Sequence, residues 1–151
     1  MDGVSLLKQQ HKEVKQLFKE YEGKSDGAKQ QRKQIVDEVL QKLTLHSKLE
    51  EEIFYPAVRE KATKDLKATI AEGYEEHAIV DRLVEELKGL EPDDERYYAK
   101  FTVLMEEVRH HIDEEEKEML PDAEKRLGSE NETLGFKMEE KQQQLMAGAM
   151  R

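Results

Sequence analysis

One string of residues occurs twice in this chain, and it restricts the fold more than anything else in the sequence. His46, Glu50, Glu51 and Pro56 recur with the same spacing as His111, Glu115, Glu116 and Pro121. On a helix, residues four apart stack on one face about 5–6 Å apart, so each copy presents an imidazole beside a carboxylate. That pair is a ligand set for iron, zinc or manganese. A second repeat accompanies the first: His11-x-x-Val14-x-x-Leu17-Phe18 returns as His77-x-x-Val80-x-x-Leu83-Val84. The chain therefore reads as two helical hairpins of one design.

Charged residues make up 40% of the 151-residue chain and hydrophobic ones only 36%. This balance suits either a disordered chain or helices with one narrow apolar stripe, and periodicity selects helices. The first stripe is Val4, Leu7, His11, Val14, Phe18 and Tyr21; the second is Ile35 or Val36, Val39, Leu43, His46, Glu50 and Ile53. The third is Leu66, Ile70, Gly73, His77, Val80, Val84 and Leu87; the fourth is Tyr97, Phe101, Leu104, Val108, His111, Glu115 and Met119. Each stripe carries one histidine where an apolar residue is expected, and two of them also carry a glutamate.

Breaks separate the stripes. Gly23 to Gly27 ends the first helix, with Ser25 or Asp26 able to cap the next. Pro56 predicts a kink or stop at Tyr55 with a short continuation to Ala62. A third helix is expected from Thr63–Asp65 to Gly89, and a fourth after Glu91, with Pro92 in its first turn. Pro121 opens a short piece ending at Gly128. The expected fold is all-α: an up-down-up-down four-helix bundle over 1–128, followed by a short C-terminal helical extension. Residues 129–151 read as a polar tail that either frays or forms a loosely docked helix around Leu134 to Leu145.

Hairpin geometry puts the four stripe histidines at nearly one level, His11 opposite His46 to within a few residues and His77 opposite His111. Bundle cores are a known place for metal sites built from facing helices. A single histidine in an apolar stripe is more often a hydrogen-bonded core residue. Four at one level, sharing it with Glu50 and Glu115, are different. Bare buried carboxylates cost several kcal/mol each unless paired, no Lys or Arg occupies the stripe there, and bound metal ions would neutralise them. Glu51, Glu52, Glu114 and Glu116 are expected to face solvent. His110, about 100° around the helix from His111, remains an alternative ligand, and Asp81 an additional one.

The net charge of −10 argues against a nucleic-acid backbone partner. With no cysteine, thiolate sites and iron–sulfur clusters are excluded. No apolar run approaches the ~18 residues of a membrane span. The first residues lack the form of a signal peptide, which makes a reducing cytoplasm the expected location.

The order His, His-x-x-x-Glu, His, His-x-x-x-Glu across residues 4–127 resembles the hemerythrin HHE cation-binding family. The resemblance implies two non-haem irons joined by an oxo or hydroxo bridge, with no haem. His11, His46, His77 and His111 would be terminal ligands, and Glu50 and Glu115 bridging carboxylates. The implied small-molecule partner is O2, peroxide or NO; an iron- or oxygen-sensing or iron-storing module without turnover is the alternative. Oxygen-carrying members have a fifth histidine on the third helix and a final Asp. Here the positions four residues from His77 are Gly73 and Asp81, and the final acid is Glu115. Of the twelve positions on two octahedral irons, the four histidines would fill four, the two bridging carboxylates four and the bridging oxygen two. That leaves two for water, substrate or a side chain such as Tyr74, Asp81 or Glu116, and favours exchange over reversible oxygen carriage.

Overall fold

A computed structural model describes residues 1–149. Helix α1 (Gly3–Glu22) starts where Asp2 accepts the Ser5 amide at 2.8 Å, satisfying one of the free N–H groups of a helix start. Helix α2 (Lys29–Leu49) has no side-chain cap. Its first flanking residue is Ala28, and neither Ser25 nor Asp26 serves; Asp26 instead faces Arg32 at 3.4 Å. Helix α4 (Lys64–Lys88) is capped by Thr63 on the Leu66 amide, and α5 (Glu95–Glu114) by Asp94 on the Arg96 amide. Pro92 therefore lies in the preceding turn, not in the helix.

Neither of the two repeated prolines stops its helix. After α2 the backbone continues as a π turn, Glu50–Phe54, into α3 (Tyr55–Glu60). After α5 a matching π turn, Glu115–Met119, leads into α6 (Leu120–Leu127). In a π turn each amide reaches five residues back, and the Tyr55 amide bonds the Glu50 carbonyl, as the Leu120 amide bonds that of Glu115. The next amide in each ladder would belong to proline, which has none. The Glu51 carbonyl thus freed accepts the Tyr74 hydroxyl at 3.3 Å. Gly128, at φ 54°, then turns the chain out of α6.

The four long rods form an up-down-up-down bundle. Its apolar interior is in two parts. One part gathers Phe18, Val36, Val39, Leu87, Phe101 and Leu104; the other gathers Leu7, Leu49, Phe54, Ile70, Met119 and Leu120. Between them lies the histidine layer. The π turns shift the second stripe, so that Phe54 and Tyr55 are fully buried where the α-helical period assigned Ile53, which is only half-buried.

Beyond Gly128 the chain forms α7 (Glu130–Ala149). This differs from the expected loose helix: it starts earlier, runs longer, and buries Leu134 and Met138 in the second apolar cluster. Asn131, also buried, accepts the Val4 amide at 3.1 Å. Lys141 pairs with Glu52 on the first π turn at 3.4 Å. Positions 150 and 151 of the expected tail lie outside the described residues. Among the described residues, no helix is long and apolar enough to cross a membrane.

Candidate metal centre

His11 from α1, His46 from α2, His77 from α4 and His111 from α5 converge with Glu50 and Glu115, the first residues of the two π turns. All six are buried, and Glu50 is fully enclosed. The His11 and His46 rings lie 4.9 Å apart and the His77 and His111 rings 5.1 Å apart, so the layer divides into two pairs. Glu50 Oε1 lies 3.0 Å from the Nε2 atoms of both His46 and His77. Glu115 spans the pairs with separate oxygens, Oε1 lying 3.3 Å from His11 Nε2 and Oε2 3.1 Å from His111 Nε2.

These separations are short, yet they are not hydrogen bonds. The Nε2 atoms of all four histidines, both Glu50 oxygens and Glu115 Oε1 have no hydrogen-bond partner among the described residues. Their donor pairs converge on shared points instead of on each other. Buried polar atoms are otherwise almost always paired, and an enclosed carboxylate without a cation is costly. Two groups within this layer could hold a metal ion: His11, His46, Glu50 and Glu115, and Glu50, His77 and His111, with the donor atoms of each group within 4.8 Å of one another. Imidazole nitrogen with carboxylate oxygen is a ligand set for iron, zinc or manganese.

The opposite edge of three of the four rings is held from behind. His11 Nδ1 bonds Glu116 at 2.7 Å, His46 Nδ1 bonds Gln10 at 2.6 Å, and His111 Nδ1 bonds Glu76 at 2.9 Å. His77 Nδ1 lies 3.5 Å from Glu51, too far and too poorly aligned for a hydrogen bond. An acceptor on Nδ1 leaves the Nε2 lone pair directed inward, which is the orientation a metal ligand needs. The arrangement is reciprocal. The residue before His11 holds His46 and the residue before His77 holds His111, while the residue after each buried glutamate faces the first-helix histidine of the other hairpin.

Tyr55 adds a hydroxyl to the layer. Five residues after Glu50 it would point about 140° away in an α-helix, but a π turn stacks residues five apart. Its hydroxyl donates to Glu115 Oε2 at 2.8 Å, and its ring stacks on His77 at 5.6 Å. Gly73 makes room, since a Cβ there would stand 2.9 Å from the Tyr55 oxygen. Of the two positions four residues from His77, Gly73 thus lies against the Tyr55 hydroxyl and Asp81 is exposed.

The field of the layer favours positive charge on His11, His77 and His111. Burial opposes it, but the Glu115 and Glu50 carboxylates outweigh burial and raise the pKa of His11; for His77, Glu50 does most of the raising. His111, burial again opposing and Glu115 prevailing, is raised to about 10. Burial also works against ionisation of Glu50, yet the neighbouring His46, with His77, holds its carboxyl well below the usual range. Tyr55 is pushed well above its ordinary value by burial and by Glu50 and Glu115, so its hydroxyl keeps its proton.

The structure thus brings all six stripe residues together. The other candidates stay outside. Asp81 is exposed, Tyr74 is used on the Glu51 carbonyl, and His110 is exposed and paired with Glu114 at 3.1 Å. Glu76, His110 and Glu114 form a further, more exposed group. Glu51 and Glu116 correct an expectation: both are half-buried against histidines and do not simply face water. The Glu-Glu doublet present in both repeats was their sequence signal. Gln10 and Glu76 immediately precede the histidines of the other repeat, which was theirs. Tyr55 had none on an α-helical period.

A helical bundle with a buried, reciprocal His/Glu layer that could hold cations defines the class. The Hemerythrin HHE cation binding domain model matches residues 2–123, and the chain belongs to this family. It is 30% identical over 123 residues to the uncharacterized protein Rv2633c of Mycobacterium tuberculosis, covering 80% of this chain and 71% of that one. The crystal structure of a Hemerythrin HHE cation binding domain-containing protein, the Rv2633c homolog from Mycobacterium kansasii, is similar with a TM-score of 0.82 and 26% identity, covering 99% of this chain and 90% of that one. A DNA nickase of Nostoc is 28% identical over 134 residues, 86% of this chain; the match spans only 36% of the nickase.

Proposed function

We propose that this protein is a non-haem di-iron protein that binds O2 or reacts with small oxidants such as peroxide or NO. One ion would be held by His11 and His46, the other by His77 and His111, with Glu50 and Glu115 shared between them. The observation that carries this reading is the convergence of unpartnered, buried Nε2 and carboxylate oxygen atoms from both hairpins. Bound iron would supply electrons and Lewis acidity. The protein's own residues would orient, exclude water and hold protons. Glu116, Gln10 and Glu76 fix three rings through Nδ1, and Tyr55 keeps a proton on its hydroxyl and directs it at Glu115 Oε2.

Ligand size supports the same reading. Between the four histidines, Gln10 and Ser47 on one side and Val14, Leu43, Val80, Val108 and Ile112 on the other lies a cavity of about 20 Å³. That volume suits about one water-sized molecule. A space of that size, with apolar side chains on one side and the histidines on the other, admits a diatomic or peroxide and is too small for a bulky organic substrate.

Metal analysis of protein purified without chelators tests the proposal. Two irons per chain are expected, with near-ultraviolet charge-transfer absorption that changes on adding peroxide. Protein that binds no iron when reconstituted anaerobically would refute it. Peroxide consumption without metal loss supports turnover; metal-dependent stabilisation with no consumption supports an iron-storing or sensing module instead.

A further inference from the structure

The two halves of the histidine layer differ in the charge that stands behind one ring. Three of the four Nδ1 atoms face a carboxylate: Glu116 for His11, Glu51 for His77 and Glu76 for His111. The fourth, that of His46, faces the amide oxygen of Gln10 at 2.6 Å. Gln10 is itself buried. We propose that Gln10 makes the two ion positions unequal, so that the His77/His111 position fills first and the His11/His46 position fills last and empties first. This inference rests on the two-ion reading of the layer.

The chemistry is that of the ring's far edge. An acceptor on Nδ1–H fixes the tautomer that leaves Nε2 free to bind a metal, and an amide oxygen does this as well as a carboxylate. The amide must present its oxygen here; with its NH2 toward Nδ1, the ring would carry its proton on Nε2 and could not bind an ion. What an amide lacks is charge. A carboxylate behind the ring raises its basicity and adds attraction for the cation across it. The His77/His111 position has two such charges behind it, and the His11/His46 position has one.

Three features act in the other direction. The donor group on the His11/His46 side has four members and the other three, but Glu115 also reaches His111 Nε2 at 3.1 Å through its second oxygen and so is within reach of both positions. The other two are smaller. Glu116 stands 2.7 Å from its ring while Glu51 stands 3.5 Å from its own. At equal dielectric that difference changes a Coulomb interaction by about 30%, whereas replacing a carboxylate by an amide removes it altogether. The Tyr55 hydroxyl withdraws some electron density from Glu115 Oε2, on the His111 side. It is a neutral donor, worth less than a full charge.

The experiment is a stepwise anaerobic titration of chelator-stripped full-length protein with Co(II), against a chromophoric competitor. Removing an outer partner typically changes metal affinity by about 10–100-fold, so the wild-type steps are expected to differ by at least about tenfold. Gln10→Glu should strengthen the weaker step and narrow the gap by about tenfold. Glu76→Gln should narrow it from the other side by weakening the tighter step. His46→Ala should retain the tighter step, and His111→Ala only the weaker.

Circular dichroism checks folding. Should Gln10→Glu fail to fold, Glu76→Gln and the wild-type steps decide the matter alone. Two equal wild-type steps, a gap that neither variant changes, or loss of the tighter step in His46→Ala would each overturn the inference while leaving the two-ion centre standing. Binding of no Co(II) would overturn the two-ion reading as well.

Discussion

Gly73 offers a sharp test, because local and tertiary effects there predict opposite results. It sits inside α4 on the buried face. In an unconstrained helix interior, Gly→Ala stabilises by about 1 kcal/mol. In this structure a Cβ at position 73 would stand 2.9 Å from the Tyr55 hydroxyl oxygen and 3.2 Å from the ring carbon bearing it. Tyr55 is fully buried and cannot swing into solvent. Its hydroxyl must shift, at the expense of the 2.8 Å bond it donates to Glu115.

Overpacking a tight core costs about 1–3 kcal/mol, and losing a hydrogen bond to a charged acceptor costs about 1.5–3 kcal/mol. Against the helix gain, Gly73→Ala should destabilise by about 1.5–5 kcal/mol. For a chain of this length that lowers Tm by at least about 3 °C. Denaturant melts of metal-stripped protein, followed by circular dichroism, measure it under a two-state analysis. A Tyr55→Phe protein has no hydroxyl to displace, so Gly73→Ala should cost less in that background than in wild type. A Gly73→Ala protein more stable than wild type would refute the argued contact between these two residues.

Other outcomes follow from the same geometry. Because the rings of His11, His77 and His111 favour their charged form, metal uptake near neutral pH should release protons, and affinity should rise with pH; calorimetry in buffers of different ionisation enthalpy measures the release. In metal-stripped protein, the raised His111 pKa contributes stability that is fully present below its ordinary 6.5 and is lost as pH rises through about 10. The lowered Glu50 pKa contributes stability present above its ordinary 4.5 and lost as pH falls below it. Denaturation midpoints should therefore fall toward both extremes; a midpoint still climbing between pH 7 and 10 would contradict the His111 assignment. Chelation of metal held at about 1,000 times its Kd should remove about 4 kcal/mol, or roughly 8–16 °C in Tm, and an unchanged melting curve would count against a buried centre. Met138→Ala, which empties a fully buried site in α7, should cost about 2–5 kcal/mol; a near-neutral effect would show that α7 is peripheral to the core.

Much of the architecture was legible in one dimension because helical periodicity and spacing are local properties. The stripes through Val4–Tyr21 and Leu66–Leu87 carry their own phase, and matched repeats place His11, His46, Glu50, His77, His111 and Glu115 at one level. Turn chemistry was less legible: Ser25 and Asp26 had the right side chains for a cap, yet the helix starts at Lys29. The residues from 129 onward looked polar on average. Leu134 and Met138 are apolar partners of Val4 and Leu7, and their burial depends on where α1 lies.

What the tertiary structure alone decided turns on the two π turns. A proline ten residues after a histidine says that an amide is missing, but not how the backbone absorbs the loss. The π turn absorbs it without breaking the rod. It rotates Tyr55 toward Glu115, an orientation outside the α-helical register, and Gly73 from another helix provides the space. The supports behind the rings are likewise non-local, each crossing between helices, as Gln10 does to His46 and Glu116 to His11. Sequence determines which donors share a level because that depends on rise per residue. Which atom of each donor faces a cation depends on contacts between rods, and only the packed bundle sets those.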